Sequence, residues 1–251
     1  MQYLLLLLLA YFVSFSALAN KGNETNTSFN KAKRMLEKEV YQVAHERKTI
    51  YCDADFDVKK QISFPPGFTT TKYVKRSKKV EWEHVVPAEN FGRNFVAWRE
   101  GDESCVNSKG KTFKGRRCAE KVDHQYRLMQ SDMHNLYPAI GAVNVARSNY
   151  NFTMLNTEQS SFGSCNMKIS KRKVEPPESA RGMIARSYLY MHETYDRYSM
   201  SDQQLQLMNA WHNQQPVTEW ECLRAQRIAE KQGNQSAILE RSCALLHFKS
   251  E

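Results

Sequence analysis

The cysteines limit what this chain can fold into more than any other feature does. There are six of them, Cys52, Cys105, Cys118, Cys165, Cys222 and Cys243, and all follow an apolar leader. Leu4 to Leu9 is an unbroken apolar run, extended through Tyr11, Phe12 and Val13, and it closes on Ala17-Leu18-Ala19 with Asn20 next. An apolar stretch ending in a small-x-small pattern reads as a secretory signal peptide, residues 1–19, ahead of a mature domain at 20–251. The run is short for a spanning helix, which needs about 20 apolar residues. No later segment is long and apolar enough to cross a bilayer, so no membrane association is expected after cleavage. An even number of cysteines behind an export signal points to three disulfides. Zinc is the competing use of thiols. No Cys-x-x-Cys pair is present and no histidine lies at ligand spacing from a cysteine, so disulfides are the reading.

The mature part is long enough for one well-buried core, and a single domain is expected. Its leader carries no charged side chain, so the formal net charge of +9 belongs wholly to the mature protein. An exported basic protein favours polyanions: nucleic acid, anionic lipid or acidic glycan. A membrane-surface role is disfavoured, because no helix combines a Lys/Arg face with an aromatic opposite face.

Along the chain, Ala32, Met35, Leu36, Val40 and Val43 recur at helical steps, with Thr27 or Ser28 placed to cap. Residues 50–86 hold short β-rich pieces: Ile50-Tyr51-Cys52, Ile62-Ser63-Phe64, Tyr73-Val74 and Val80 to Val86. Residues 101–124 lack periodicity and gather Lys109, Lys111, Lys114, Arg116, Arg117 and Lys121, which reads as a long basic loop. After Lys173 the pattern is helical over Ser179 to Tyr195. Two further helices open on the capping sequences Ser201-Asp202-Gln203-Gln204 and Thr218-Glu219-Trp220-Glu221. Asn23, Asn26, Asn151 and Asn234 each begin an Asn-x-Ser/Thr sequon, which matters only in a host that glycosylates.

Three strings carry side chains suited to chemistry. Val80-Glu81-Trp82-Glu83-His84-Val85-Val86-Pro87 puts a base beside a hard metal ligand. Side chains alternate along a strand, so Glu83 and His84 would point apart and could serve one site only at a strand end. Pro87 makes such an end plausible. The second string is Met129-Gln130-Ser131-Asp132-Met133-His134-Asn135-Leu136-Tyr137-Pro138. The third is Gly141-Ala142-Val143-Asn144-Val145-Ala146-Arg147, running on to Asn151 and Phe152. If it is helical, Asn144, Arg147 and Asn151 share a face. Asn is a poor helix-interior residue, so Asn144 makes either a buried hydrogen bond or a metal contact.

Together, Glu-Trp-Glu-His-Val-Val-Pro-Ala at 81–88, Ser-Asp-Met-His-Asn-Leu at 131–136 and Arg-Ser-Asn-Tyr-Asn-Phe at 147–152 resemble the bacterial endonuclease I family of periplasmic and secreted nucleases. So do Glu-Pro-Pro at 175–177, Arg-Gly-Met-Ile-Ala-Arg at 181–186, Asn-Ala-Trp at 209–211 and Pro-Val-Thr-Glu-Trp-Glu-Cys at 216–222. The resemblance runs from about Phe29 to Cys243. It implies an α+β domain, mostly helical around short antiparallel strands, carrying a ββα-metal (His-Me finger) motif. It implies His84 as general base and Glu83 and Asn144 as ligands of a single divalent ion, with Arg116 on the scissile phosphate. Arg117 is the alternative arginine, because the loop before it differs in length from the family's. Gln130 stands where many members carry Glu, which removes a negative charge beside the site. Asp132, His134, Asn135 and Arg147 are expected to hold the motif together or to meet substrate. The pairings implied are Cys52–Cys165, Cys105–Cys118 and Cys222–Cys243; a further familiar pair is missing, with Ala54 at one of its positions.

The chemistry this implies is phosphodiester hydrolysis. A neutral histidine can take a proton from water near neutral pH. Oxygen ligands favour Mg²⁺, with Mn²⁺ or Ca²⁺ as alternatives, over zinc. A basic loop gives affinity for the nucleic-acid backbone without reading sequence. The expectation is a monomeric periplasmic or secreted enzyme cutting DNA, and RNA too. The alternatives are a secreted ribonuclease and a catalytically weak nucleic-acid-binding protein on the same scaffold.

Overall fold

The computed structural model describes residues 21–248, so the signal peptide read over residues 1–19 lies outside the described residues. Ser28 caps the first helix, α1 (Phe29–Met35), by accepting from the Lys31 amide, and a π-helical turn over Leu36–Val40 continues it. The helical pattern therefore ends at Val40, and Val43 lies beyond it, exposed. A short antiparallel pair follows, β1 (Asp55–Phe56) and β2 (Ile62–Ser63). Then come α2 (Val74–Ser77), β3 (Val80–His84), α3 (Ala88–Gly92) and α4 (Val96–Arg99).

Two expectations change in this stretch. Ile50-Tyr51-Cys52 is a turn, not a strand; the Ile50 amide donates to the Pro138 carbonyl at 2.9 Å, which seats the turn on a strand further along the chain. Tyr73-Val74 is the start of α2, with Tyr73 in the left-handed region at φ 57°. The basic segment 101–124 is also more ordered than a loop. Its second half is α5 (Arg116–Val122), and Asp123 then caps α6 (His124–Gln130).

The centre of the fold is β3 paired antiparallel with β4 (Leu136–Ile140), from Val80↔Ile140 to His84↔Leu136. The helix α7 (Gly141–Arg147) leaves β4 without an intervening loop. Gly141 is required at that corner, since a Cβ there would lie 2.5 Å from the Arg76 carbonyl oxygen. Helix α7 ends at Ser148, whose φ is 54°. Asn151 therefore falls on β5 (Asn151–Phe152) and not on the face of Asn144 and Arg147. β5 joins β6 (Lys168–Ser170) and β7 (Lys173–Glu175) in the order β5-β7-β6.

The C-terminal part is helical as expected: α8 (Glu178–Thr194), α9 (Asp202–Gln214), α10 (Glu219–Gln232) and α11 (Ala237–Phe248). Ser201 caps α9, and both halves of the Thr218/Glu221 capping box form. Glu221 is also used twice, because its carboxylate takes a buried ion pair from Arg186 of α8 at 2.7 Å. Helix α8 crosses the main core with Ile184, Tyr188 and Met191 buried. A second core lies on the other side of β3, where Val80 and Trp82 meet Leu36, Val40 and Tyr41. The architecture is thus α+β.

All three disulfides pair as expected: Cys52–Cys165, Cys105–Cys118 and Cys222–Cys243. The first spans 113 residues of sequence. Closing so long a loop restrains the unfolded chain most, so replacing both cysteines by alanine is expected to cost about 4–5 kcal/mol. Urea unfolding measures this, and a loss under about 1 kcal/mol would contradict it. Three of the sequon asparagines, Asn23, Asn26 and Asn234, are buried, so only Asn151 is open to a glycosylating enzyme.

Candidate active site

Alternation along β3 sends Val80, Trp82 and His84 to the α1 side, and Glu81 and Glu83 to the α7 side. The strand ends at His84, as Pro87 suggests. What holds that end is unusually well defined. Arg147 donates from Nη1 to the His84 carbonyl at 2.9 Å and from Nη2 to the Val85 carbonyl at 2.5 Å. Asn135 closes the next residue, accepting from the Val86 amide at 2.7 Å and donating to its carbonyl at 3.0 Å. The backbone that carries His84 is thereby fixed from both α7 and the start of β4.

The His84 ring is buried with Nε2 2.8 Å from the Gln130 carbonyl oxygen. A carbonyl only accepts, so Nε2 carries the proton and a neutral ring keeps its lone pair on Nδ1. Burial drives the His84 pKa down to about 3, the Arg116 guanidinium adds to the shift, and the bond to Gln130 opposes it. The ring is therefore neutral across the physiological range. Phe29 of α1 covers it, with ring centroids 4.8 Å apart.

Glu83 lies on the opposite side of the strand end. Its Oε1 accepts from Tyr51 Oη at 2.7 Å and from Arg147 Nη1 at 2.8 Å. Burial raises its carboxyl above the ordinary value, and Arg147 and Tyr51 oppose that shift without cancelling it. Arg147 is held as a guanidinium, and with this contact we take the pair as ionised. Oε2 takes no hydrogen bond among the described residues. Asn144 of α7 donates from Nδ2 to Glu81 Oε2 at 3.0 Å. Glu81 is in turn gripped by Arg76, at 2.7 Å to Oε1 and 2.5 Å to Oε2. This orients the Asn144 amide and leaves its Oδ1 without a donor among the described residues. Asn144 is thus linked through its amide to Glu81, not to Glu83.

Arg116 and Arg117 separate clearly. Arg116 lies over the Phe29 ring, 5.3 Å from its centroid, on the His84 side, whereas Arg117 lies over Phe113 at 5.0 Å. Arg116 begins α5 two residues before the Cys105–Cys118 bridge, which ties it to the basic loop. Asp132 and His134 turn away. Asp132 Oδ2 accepts from Tyr190 at 2.6 Å and Tyr195 at 2.5 Å, and His134 Nε2 faces the Asn234 carbonyl at 3.3 Å. They tie the entry to β4 onto α8 and the α10–α11 connection and do not meet His84. Gln130 contributes its carbonyl, while its side-chain amide is fully buried with no partner among the described residues.

Sequence reading does not find Phe29, Tyr51, Arg76 or Glu81. Glu81 has a signal, since it lies two residues from Glu83 on a strand and so shares its face. Phe29 and Tyr51 come from segments distant in sequence, and nothing local marks them or Arg76, which lies five residues before Glu81.

The His84 ring and Glu83 stand at the end of β3, with Arg116 on the His84 side and Asn144 tied to Glu81. Comparison with known proteins shows the family to which the chain belongs. The family profile described as Endonuclease I matches residues 16–243. The chain is 37% identical over 247 residues to an extracellular deoxyribonuclease of Aeromonas hydrophila, covering 96% of this chain and 98% of the relative. It is 36% identical over 202 residues to a periplasmic deoxyribonuclease of the same organism, covering 78% and 79%. It is 38% identical over 201 residues to Endonuclease-1 of Buchnera aphidicola subsp. Acyrthosiphon pisum, covering 78% and 74%. This protein belongs to the endonuclease I family and is an endonuclease.

Proposed function

We propose that this protein hydrolyses phosphodiester bonds of DNA, and of RNA, without regard to sequence, in the periplasm or outside the cell, with His84 as general base. The observation that carries the reading is the neutral His84 ring, pinned through Nε2 to the Gln130 carbonyl, with Nδ1 left as its lone pair. The names of the relatives support DNA as substrate and an extracytoplasmic location. The net charge of +9 supports affinity for a phosphate backbone. RNA is included because cleavage by an activated water does not use the sugar 2′-hydroxyl.

A divalent cation fits the residues present. Glu83 Oε2 and Asn144 Oδ1 are the uncommitted oxygens, and both are hard donors suited to Mg²⁺, Mn²⁺ or Ca²⁺. Among the described residues no group of three or more His, Cys, Asp or Glu converges, which is compatible with one carboxylate and one amide holding a single weakly bound ion. When bound, that ion supplies positive charge for the phosphate and leaving oxygen. The chain's own residues do the rest. His84 Nδ1 removes a proton from water, and Nε2–H stays on the Gln130 carbonyl, which keeps the ring oriented. Arg116 offers its guanidinium to the phosphate oxygens, where a planar fork suits two of them. Arg147 and Asn135 position the strand end. Arg76 and Glu81 orient Asn144.

The test is a metal titration of DNA cleavage, with total RNA as second substrate. Asn144→Ala is expected to raise the Mg²⁺ concentration for half-maximal rate at least about tenfold. Arg76→Ala, which only loosens the orientation of that amide, should give a smaller rise in the same direction. A metal response unchanged in Asn144→Ala would remove Asn144 from the cation site.

A further inference from the structure

Between α1 and the first half of β3, beside Phe29, lies a cavity of about 440 Å³. Its walls include Phe29, Lys33, Arg34, Lys60, Glu81 and Asn144. We propose that Lys33 and Arg34 form a second phosphate subsite, which holds a phosphodiester of the same strand next to the one being cut. The proposal rests on the nuclease reading above and adds to it where the strand runs.

Charge favours an anion in this cavity. The carboxylates near it are already used. Glu37 takes the Lys60 ammonium at 3.0 Å and the Trp82 indole N–H at 2.9 Å. Glu81 is taken by Arg76 and Asn144. Lys33 and Arg34 have no carboxylate partner among the described residues. Lys33 is half-buried, and its pKa is lowered, by burial first and by the nearby Lys60, Arg116 and Arg34 cations, with Glu37 opposing. A cation kept in partial burial beside other cations is stabilised by an anion that enters the same space.

Position ties the cavity to the reacting phosphate. The Lys33 ammonium stands 4.6 Å from the centroid of the Phe29 ring, and Arg116 lies 5.3 Å from the same centroid. That ring is the one that covers His84. One phenyl ring thus carries both cations, which suits two phosphates of one strand. The ring faces offer each cation only a weak surrogate for an anion, which a phosphate oxygen displaces. Asn144, the proposed ligand of the ion, is on the cavity wall itself, so the subsite is continuous with the chemistry.

The test is binding, so that it does not depend on turnover. The full oxidised protein is titrated into a fluorescein-labelled single-stranded 12-mer in EDTA, and anisotropy gives Kd across KCl concentrations. Each phosphate contact contributes a slope of about 0.7 in log K against log salt for single strands. Lys33→Ala/Arg34→Ala removes that one contact and is expected to flatten the slope by about 0.7. Lys31→Ala/Lys38→Ala removes the same charge from the same segment but from positions that do not line the cavity, and it should change the slope by less than half as much. Equal flattening by both pairs, or none by the first, would overturn the subsite. If the wild-type protein fails to bind the strand at all, the nuclease reading fails first and the subsite with it.

Discussion

Replacing His84 by glutamine is expected to lower kcat/KM on plasmid DNA by about 10³-fold, the middle of the range for a lost general base. Glutamine is the informative choice. Its amide N–H can still donate to the Gln130 carbonyl, which histidine meets at 2.8 Å, but it has no basic lone pair. His84→Ala should lose as much activity and also stability, because it leaves that buried carbonyl without a donor, at about 1–3 kcal/mol. The two variants therefore separate base from packing. A glutamine variant that keeps more than about a tenth of the wild-type rate would remove His84 from the role of base.

Arg147→Met is expected to be the most destabilising single change at the site, at about 3–5 kcal/mol in urea unfolding. The reason is electrostatic. Arg147 and Glu83 are both almost fully buried, and the truncation leaves Glu83 as an uncompensated charge in the interior. It also leaves the His84 and Val85 carbonyls without their donors. Adding Glu83→Gln removes the stranded charge and should recover part of the loss, about 1–3 kcal/mol. A single variant as stable as the wild type would show that the ion pair does not hold the strand end. No recovery in the double variant would show that the lost carbonyl bonds, not the charge, set the cost.

The legible parts of this molecule are those fixed by local chemistry. Ser28, Ser201 and Thr218 cap the helices that follow them, because each side chain meets an amide three residues on. Pro87 marks the end of β3. The helical form of 141–147 puts Asn144 and Arg147 together. What is not legible depends on contacts between distant segments. Tyr51 reaches Glu83 because the 49–54 turn is seated on β4, and nothing in Ile50-Tyr51-Cys52 separates that turn from a strand. Asn151 leaves the Asn144 face because Ser148 breaks the helix at a positive φ that its type does not announce. Arg116 begins a helix inside a segment whose lysines and glycines hide its periodicity. Asp132 and His134 have the right composition for a site, yet the tyrosines of α8 and the segment after it claim Asp132, and Asn234 claims His134. Phe29 reads in sequence only as the start of a helix, and it is the wall of the cleft.

The most direct measurement is conversion of supercoiled plasmid by the purified, oxidised mature protein in Mg²⁺ and in EDTA, followed on a gel. A cation-dependent nuclease with His84 as its base gives nicked, linear and then smeared DNA with Mg²⁺, and intact plasmid in EDTA. Equal cutting in both would contradict a cation held by Glu83 and Asn144, and intact plasmid in both would contradict the nuclease chemistry assigned to His84.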